Sequence, residues 1–146
     1  MTKYFKSLMF SIAALSILLT FTGCSTGQSS DDPSPAATST VPVLEKISPE
    51  KAKEMMDTAT PIILDVRTQE EYDESHIEGA ILIPDYEISE KAEELLTDKD
   101  AVILVYCRSG RRSALAAKVL SELGYSQIYD FGGIIDWPYD VVAGQR

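Results

Sequence analysis

The sequence predicts an α/β domain in which a mostly parallel sheet is covered by helices on both faces. Short apolar runs at residues 61–67 and 101–106 are rich in β-branched side chains, as strands buried on both faces are. Segments with the apolar spacing of helices alternate with these runs, and that alternation is typical of parallel strands joined by crossover helices. The chain is 45% hydrophobic and 25% charged, which is ordinary for a globular fold.

The first part of the chain is expected to lie outside this domain. Residues 8–21 form an uncharged apolar run after Lys3 and Lys6, and its length suits a signal peptide better than a membrane span. The run leads into Cys24 in a way that resembles a bacterial lipoprotein signal, in which this cysteine is lipidated and becomes the mature N-terminus. We therefore expect residues 1–23 to be a signal peptide; the alternative is an ordinary secretory signal with an unrelated cysteine.

Residues 24–42 are expected to be the lipidated cysteine and a flexible linker, because they consist largely of small and polar residues. The domain then covers residues 43–146. The full chain carries a net charge of −10, and loss of residues 1–23 leaves 11 basic against 23 acidic residues, or −12. This charge argues against nucleic-acid binding and against attraction to anionic lipids. We expect an extracytoplasmic protein that is held to the bacterial membrane by its lipid.

Local signals predict the first elements of the domain. Residues 44–47 suit a short edge strand, and Ser48 followed by Pro49 suits the start of a helix that runs to about residue 57. The strand at residues 61–67 presents Asp65 and Arg67 at its carboxyl end, where open α/β sheets place their sites. We expect these two residues to form a structural ion pair rather than to act directly in catalysis.

A third strand and a second helix precede the central strand. Residues 80–83 are predicted to be a third buried strand that ends at Pro84. Residues 88–96 suit a helix with Leu95 and Leu96 directed inward.

The central feature is a cysteine between a strand and a helix. Cys107 directly follows the strand at residues 101–106, and a helix is predicted over residues 113–123 with Gly124 as its stop. A helix N-terminus beside arginines lowers the pKa of a thiol, and the thiolate is the reactive form. This arrangement predicts a reactive thiol; a buried, inert cysteine is the alternative.

The segment around Cys107 is basic, although the chain as a whole is acidic. Residues 101–121 contain no Asp or Glu, and their basic residues are Arg108, Arg111, Arg112 and Lys118. Gly110 frees successive N–H groups to form an anion-binding nest. A positive pocket in a negative protein predicts a site that handles an anion.

The last elements are a short strand at residues 126–130 and a glycine pair. Gly132 and Gly133 are expected to let the backbone pass close to the Cys107 loop. Trp137 is expected to pack in the core, with ligand stacking as the alternative.

The segment Cys107-Arg108-Ser109-Gly110-Arg111-Arg112-Ser113 resembles the active-site loop of rhodanese-like sulfurtransferases. Residues 64–67, 75–84 and 132–137 resemble the other signatures of that family, although Ser75 and Leu82 stand where Gly and Asn are usual. The resemblance extends over residues 44–137. It implies a three-layer rhodanese-like domain with a five-stranded sheet and the cysteine loop at the carboxyl edge of that sheet.

The resemblance implies transfer of sulfane sulfur from thiosulfate or a persulfide donor to a thiophilic acceptor, through a persulfide on Cys107. The residues expected to bind the donor are Arg108, Ser109, Gly110, Arg111, Arg112 and Ser113. Arg108 and Arg112 would attract and orient the thiosulfate dianion. For Arg111, the alternative is that its side chain points to solvent. His76, the only histidine, is expected to hold its own loop by hydrogen bonds rather than to act as a general base.

Two other functions stay open. Related phosphatases and arsenate reductases place five residues between Cys and Arg, whereas here Arg112 is already the fifth residue after Cys107. A non-catalytic binding or sensing module is the second alternative, and the presence of Cys107 argues against it.

With one histidine and one free thiol, no metal site and no cofactor are expected. The expected partners are a small anionic sulfur donor and the membrane, and an extracytoplasmic thiol protein is a candidate acceptor.

Overall fold

The computed structural model describes residues 42–144, so Cys24 and the predicted signal peptide and linker lie outside the described residues. The strands are β1 (Val43–Lys46), β2 (Ile62–Asp65), β3 (Ile81–Leu82), β4 (Val102–Cys107) and β5 (Gln127–Gly133). The helices are α1 (Pro49–Thr58), α2 (Gln69–Glu74), α3 (Ile88–Leu95) and α4 (Arg111–Glu122). Single 3-10 turns follow β3 and β5, at Asp85–Glu87 and Ile134–Asp136.

The five strands form one sheet in the order β1-β5-β4-β2-β3, and every neighbouring pair is parallel. Parallel neighbours need a crossover between them, and α1 to α4 supply it. The predicted α/β class is therefore confirmed, with a sheet that is parallel throughout. Within residues 42–144, no helix is long and apolar enough to cross a membrane.

Alternation along the central strand β4 divides the core into two layers. Ile103 and Val105 pack with the apolar faces of α3 and α4. Leu104 and Tyr106 point to the opposite face, where α1 and α2 cover the sheet. Because successive strand residues point to opposite faces, Cys107 joins Ile103 and Val105 on the α4 side. The strand period thus directs the thiol towards the helix that follows it.

The predicted helix starts and stops agree with the structure at two places. Ser48 caps α1, and its hydroxyl accepts a hydrogen bond from the Lys51 N–H at 3.3 Å. Gly124 follows the end of α4 with a φ of 90°, as a helix stop requires. The start of α4 differs, because the helix begins at Arg111 rather than at residue 113.

Two predictions of burial are wrong for part of their residues. The third strand is predicted to be buried over residues 80–83; Ala80 and Ile83 are buried, but β3 is a two-residue edge strand that pairs only with β2, and Ile81 is 36% exposed. Leu95 was expected to point inward and is 47% exposed, whereas Leu96 is buried. Ile88, Ala92 and Leu96 are spaced by four residues and so share the inward face of α3.

Candidate active site

The Cys107 thiol lies at the carboxyl end of β4, under the turn that leads into α4. The turn consists of Arg108, Ser109 and Gly110, and the Gly110 N–H donates a hydrogen bond to Sγ at 3.1 Å. Gly110 caps α4 with a φ of 92°, a left-handed conformation that suits glycine. Cys107 is 1% exposed, so the loop closes over its own thiol. The structure therefore places the thiol at the tip of the central strand, as the sequence predicts.

The pKa of the Cys107 thiol lies below its ordinary value. Burial, the largest single influence, acts to raise this pKa. Hydrogen bonding by the N–H groups of Ser113, Ser109 and Gly110, together with the Ser113 hydroxyl, stabilises the thiolate and outweighs the burial. The loop thereby enlarges the fraction of thiolate at neutral pH.

Ser113 and the glycine pair hold the loop against β5. The buried Ser113 hydroxyl lies 3.1 Å from the Gly110 carbonyl oxygen and 3.4 Å from that of Gly132. A Cβ atom at Gly133 would lie 2.4 Å from the Arg108 carbonyl oxygen, so only glycine lets the two backbones approach this closely. The Ile135 N–H donates to the same oxygen at 3.3 Å. The predicted close passage of the glycine pair is thus confirmed at Gly133.

Gly133→Ala is expected to displace the loop, because the new methyl group overlaps the Arg108 backbone. We expect unfolding to become easier by about 1–3 kcal/mol, the usual cost of overpacking. The pH midpoint of Cys107 alkylation by iodoacetamide should rise, because the displaced N–H groups no longer stabilise the thiolate. This midpoint, unlike the rate at one pH, does not depend on how far the displaced loop uncovers the thiol. Gly124→Ala is the matched control: it suffers only the strain of a left-handed φ, far from the thiol, and should keep the midpoint of the parent. An unchanged midpoint in Gly133→Ala would contradict this prediction.

The guanidinium of Arg112 is engaged by an acidic residue of α2. Arg112 Nη1 donates to Glu71 Oε2 at 2.7 Å and Nη2 donates to Oε1 at 2.8 Å. The two side chains are only 17% and 25% exposed. Sequence reasoning missed this role of Glu71. Its only local signal is the capping box at the start of α2, in which Thr68 and Glu71 each accept a hydrogen bond from the other's backbone N–H.

The Arg112 hydrogen bonds lower the pKa of Glu71 to about 2, against the opposing effect of burial. Because this pKa is depressed in the folded state from 4.5, the pair stabilises the fold fully only above about pH 4.5. Because solvent screens a pair that is only partly buried, the contribution is about 1–2 kcal/mol, and it is lost as the pH falls towards 2. In urea unfolding, Glu71→Gln should therefore be less stable at pH 7 and nearly equal to the parent at pH 2. A difference that does not change with pH would contradict this prediction.

Arg108 and Arg111, unlike Arg112, form no ion pair with any residue from 42 to 144, and both side chains are exposed. The sequence predicts donor attraction by Arg108 and Arg112, and it places Arg111 among the donor-binding residues with exposure to solvent as the alternative. In the structure Arg108 and Arg111 are the loop guanidinium groups without an ion pair, and Arg112 is paired.

Asp65 and Arg67 form the buried ion pair that the sequence predicts. Arg67 Nε lies 3.0 Å from both carboxylate oxygens of Asp65, and Nη2 lies 2.6 Å from Oδ2. Nη2 also donates to the Ser75 carbonyl oxygen at 2.6 Å. The pair thus ties the end of β2 to the segment before His76.

His76 is held within its own loop. Its ring stacks on Tyr72 with centroids 3.7 Å apart, and Nδ1 lies 2.8 Å from the Tyr72 carbonyl oxygen. The His76 backbone pairs with Val142 through two hydrogen bonds of 2.8 Å. These contacts agree with the prediction that His76 holds its own loop by hydrogen bonds.

Trp137 packs between Phe131 and Tyr139 and belongs to the core, as predicted. In residues 42–144, no group of three or more His, Cys, Asp and Glu side chains could hold a metal ion.

The fold and the site define a class of protein: a parallel α/β domain that presents one cysteine, under backbone N–H groups, at the carboxyl edge of its sheet. Residues 48–138 match the Rhodanese-like domain family, and the chain belongs to this family.

The proteins similar to this chain include two named thiosulfate sulfurtransferases and a solved rhodanese structure. The thiosulfate sulfurtransferase PspE of Escherichia coli (strain K12) is 40% identical over 81 residues, which are 56% of this chain and 78% of PspE. The thiosulfate sulfurtransferase GlpE of Coxiella burnetii is 34% identical over 94 residues, 64% of this chain and 86% of GlpE. A solved structure of a rhodanese with anions from E. coli is 38% identical with a TM-score of 0.55; the match covers 58% of this chain and all of that one.

Proposed function

We propose that this protein is a sulfurtransferase that carries sulfane sulfur as a persulfide on Cys107. The observation that carries the proposal is the thiol itself, held under the Gly110 N–H at 3.1 Å, with its pKa lowered by the loop. Membership of the rhodanese-like family supports it, as do two relatives named thiosulfate sulfurtransferase. Thiosulfate or a persulfide is the proposed donor.

In the first step the Cys107 thiolate attacks the outer sulfur of the donor. With thiosulfate, the bond between the two donor sulfurs breaks and sulfite leaves with the electron pair. A new S–S bond joins the transferred sulfur to Sγ, and the negative charge passes to the terminal sulfur. The N–H groups that stabilise the thiolate, from Ser109, Gly110 and Ser113, are then available to stabilise that charge.

In the second step a nucleophilic acceptor attacks the terminal sulfur. The bond to Sγ breaks and its electron pair returns to Cys107, which regenerates the thiolate. Neither step needs a proton to be removed from Cys107 when the thiolate is already formed, so the mechanism assigns no base to His76. A thiolate or cyanide serves as the acceptor.

The exposed arginines supply attraction for an anionic donor. Arg108 and Arg111 carry positive charge at the loop, whereas the whole chain has a net charge of −10. Local attraction in an otherwise negative protein raises the concentration of a dianion near the thiol, and salt weakens this attraction. The loop backbone then orients the bound anion.

We further propose that the domain works outside the cytoplasm, anchored through lipid on Cys24, and delivers sulfur there to a thiol protein. This proposal rests on the sequence of residues 1–42. Metabolic labelling with a radioactive fatty acid tests it: the parent should incorporate label, and Cys24→Ser should not. Label in neither protein would overturn the anchor without affecting the proposed reaction.

Intact-protein mass spectrometry after brief incubation with thiosulfate tests the reaction. We expect a gain in mass of one sulfur atom, reversed by cyanide with release of thiocyanate. A folded, reduced protein that gains no sulfur from thiosulfate, polysulfide or cysteine persulfide would overturn the proposal in favour of a binding module. Hydrolysis of an aryl phosphate without sulfur transfer would favour a phosphatase.

A further inference from the structure

Glu71 brings a negative charge to a loop whose own sequence is basic. It reaches the loop from α2, 41 residues away in the chain, and its two carboxylate oxygens accept from the two terminal nitrogens of Arg112. Such parallel pairing fixes both side chains and uses one N–H group of each terminal nitrogen, in the bidentate arrangement that a guanidinium would otherwise offer to another oxyanion. An anionic sulfur donor at Cys107 therefore does not meet Arg112 as an independent cation.

Arg112 also lies beside the thiol loop. It belongs to the first turn of α4, directly before Ser113, whose hydroxyl donates to the Gly110 carbonyl oxygen of that loop at 3.1 Å. Ionised Cys107 is accordingly among the groups whose charge stabilises the Arg112 cation. The pair is largely shielded from water, since its members are 17% and 25% exposed, and interactions between charges are stronger in such a place. Neutralising or releasing Arg112 therefore changes the electrostatic field at the reacting sulfur.

We propose that Glu71 is a positioning residue that, through Arg112, sets how strongly the site discriminates donors by charge. While Glu71 is paired, the net charge of the two side chains is zero, and recognition of a dianion falls to Arg108, Arg111 and the loop N–H groups. When Glu71 is replaced by a neutral residue, the unpaired Arg112 adds one positive charge to the site, which favours a dianionic sulfur donor over a monoanionic one. This inference rests on the proposed sulfur transfer.

Two donors of matched chemistry separate this effect from a structural one. Thiosulfate carries two negative charges, whereas methanethiosulfonate carries one and yields the same Cys107 persulfide with methanesulfinate as the leaving group. The measured quantity is the ratio of kcat/KM for thiosulfate to kcat/KM for methanethiosulfonate, with cyanide as acceptor. A distorted loop would lower both constants and leave the ratio unchanged.

Glu71→Gln should raise this ratio about tenfold, mainly through a lower KM for thiosulfate, because one unpaired positive charge is then added to a partly buried site. Gln also suits the third helical position of a capping box, so α2 should stay folded. Glu71→Asp keeps the charge and should keep the ratio near that of the parent. Glu70→Gln is the matched control, because it removes the same charge from an exposed neighbour on the same helix.

The double variant Glu71→Gln with Arg112→Gln completes the test. It restores a neutral pair, so its ratio should return to the parent value, while Arg112→Gln alone should lower the ratio. An unchanged ratio in Glu71→Gln, or an equal rise in Glu70→Gln, would overturn the inference while leaving the sulfurtransferase intact. Absence of transfer from these two donors, and from polysulfide and cysteine persulfide as well, in the parent protein would instead overturn the proposed function, and with it this inference.

Discussion

Cys107→Ser is expected to abolish sulfur transfer from thiosulfate to cyanide. The serine hydroxyl cannot hold a sulfane sulfur, and it is not ionised at neutral pH, so both the nucleophile and the carrier are lost. The rate should fall by up to about 10⁶-fold, the scale of loss when the covalent nucleophile of an enzyme is removed. Thiocyanate formation measures the rate, and mass spectrometry should detect no added sulfur.

Folding must be checked in the same variant, because Cys107 is part of the core next to α4. Serine is close to cysteine in size but more polar, so we expect a loss of about 1 kcal/mol in the free energy of unfolding. Cys107→Ala provides an apolar second variant with the same expected loss of activity. Sulfur transfer retained in either folded variant would place the reaction elsewhere and reject the mechanism.

The centre of the site could be predicted from the sequence because its determinants are local. The strand that carries Cys107 is a continuous apolar run, and the residues after Cys107 belong to the turn and the first turn of α4. The strand period then directs the thiol to the side of α4. The Asp65 and Arg67 ion pair was equally accessible to sequence reasoning, since its members are two residues apart.

What the sequence did not reveal depends on contacts between distant segments. Glu71 and Arg112 are 41 residues apart, and no periodicity in the chain indicates that α2 lies beside the start of α4. The exposure of Ile81 has the same origin, because an apolar strand gives no sign that only one neighbour will pair with it. Leu95 and Leu96 are adjacent and chemically identical, so only the packed helix decides which one is buried.

Asp65→Ala is expected to be the most destabilising of the substitutions considered. Asp65 is fully buried and Arg67 is 4% exposed, so loss of the carboxylate leaves a guanidinium charge in the core without its ion-pair partner. Breaking a buried pair in this way costs about 3–5 kcal/mol. That is a large part of the total stability of a domain, which is about 5–15 kcal/mol. Urea unfolding at pH 7 measures the loss.

Matched variants show whether burial of the ion pair causes the loss of stability in Asp65→Ala. Glu54→Ala breaks the exposed ion pair between Lys51 and Glu54 and should change stability by less than about 1 kcal/mol. Replacing Asp65 by leucine together with Arg67 by methionine should recover part of the loss, because no buried charge is then left unpaired. A double replacement as unstable as Asp65→Ala would mean that the hydrogen bond which the Arg67 backbone N–H donates to Asp65, lost in both variants, accounts for the cost rather than the unpaired charge.

The position of this pair in the sheet links its stability to the reaction. Asp65 lies in register with Tyr106, the residue that precedes Cys107 on the neighbouring strand. The backbone of Val66 also donates to the Tyr106 carbonyl oxygen at 3.0 Å. Loosening the end of β2 therefore removes support from the end of β4, where the thiol must stay aligned with the loop N–H groups. At temperatures where Asp65→Ala is still folded, sulfur transfer should accordingly be slower than in the parent protein.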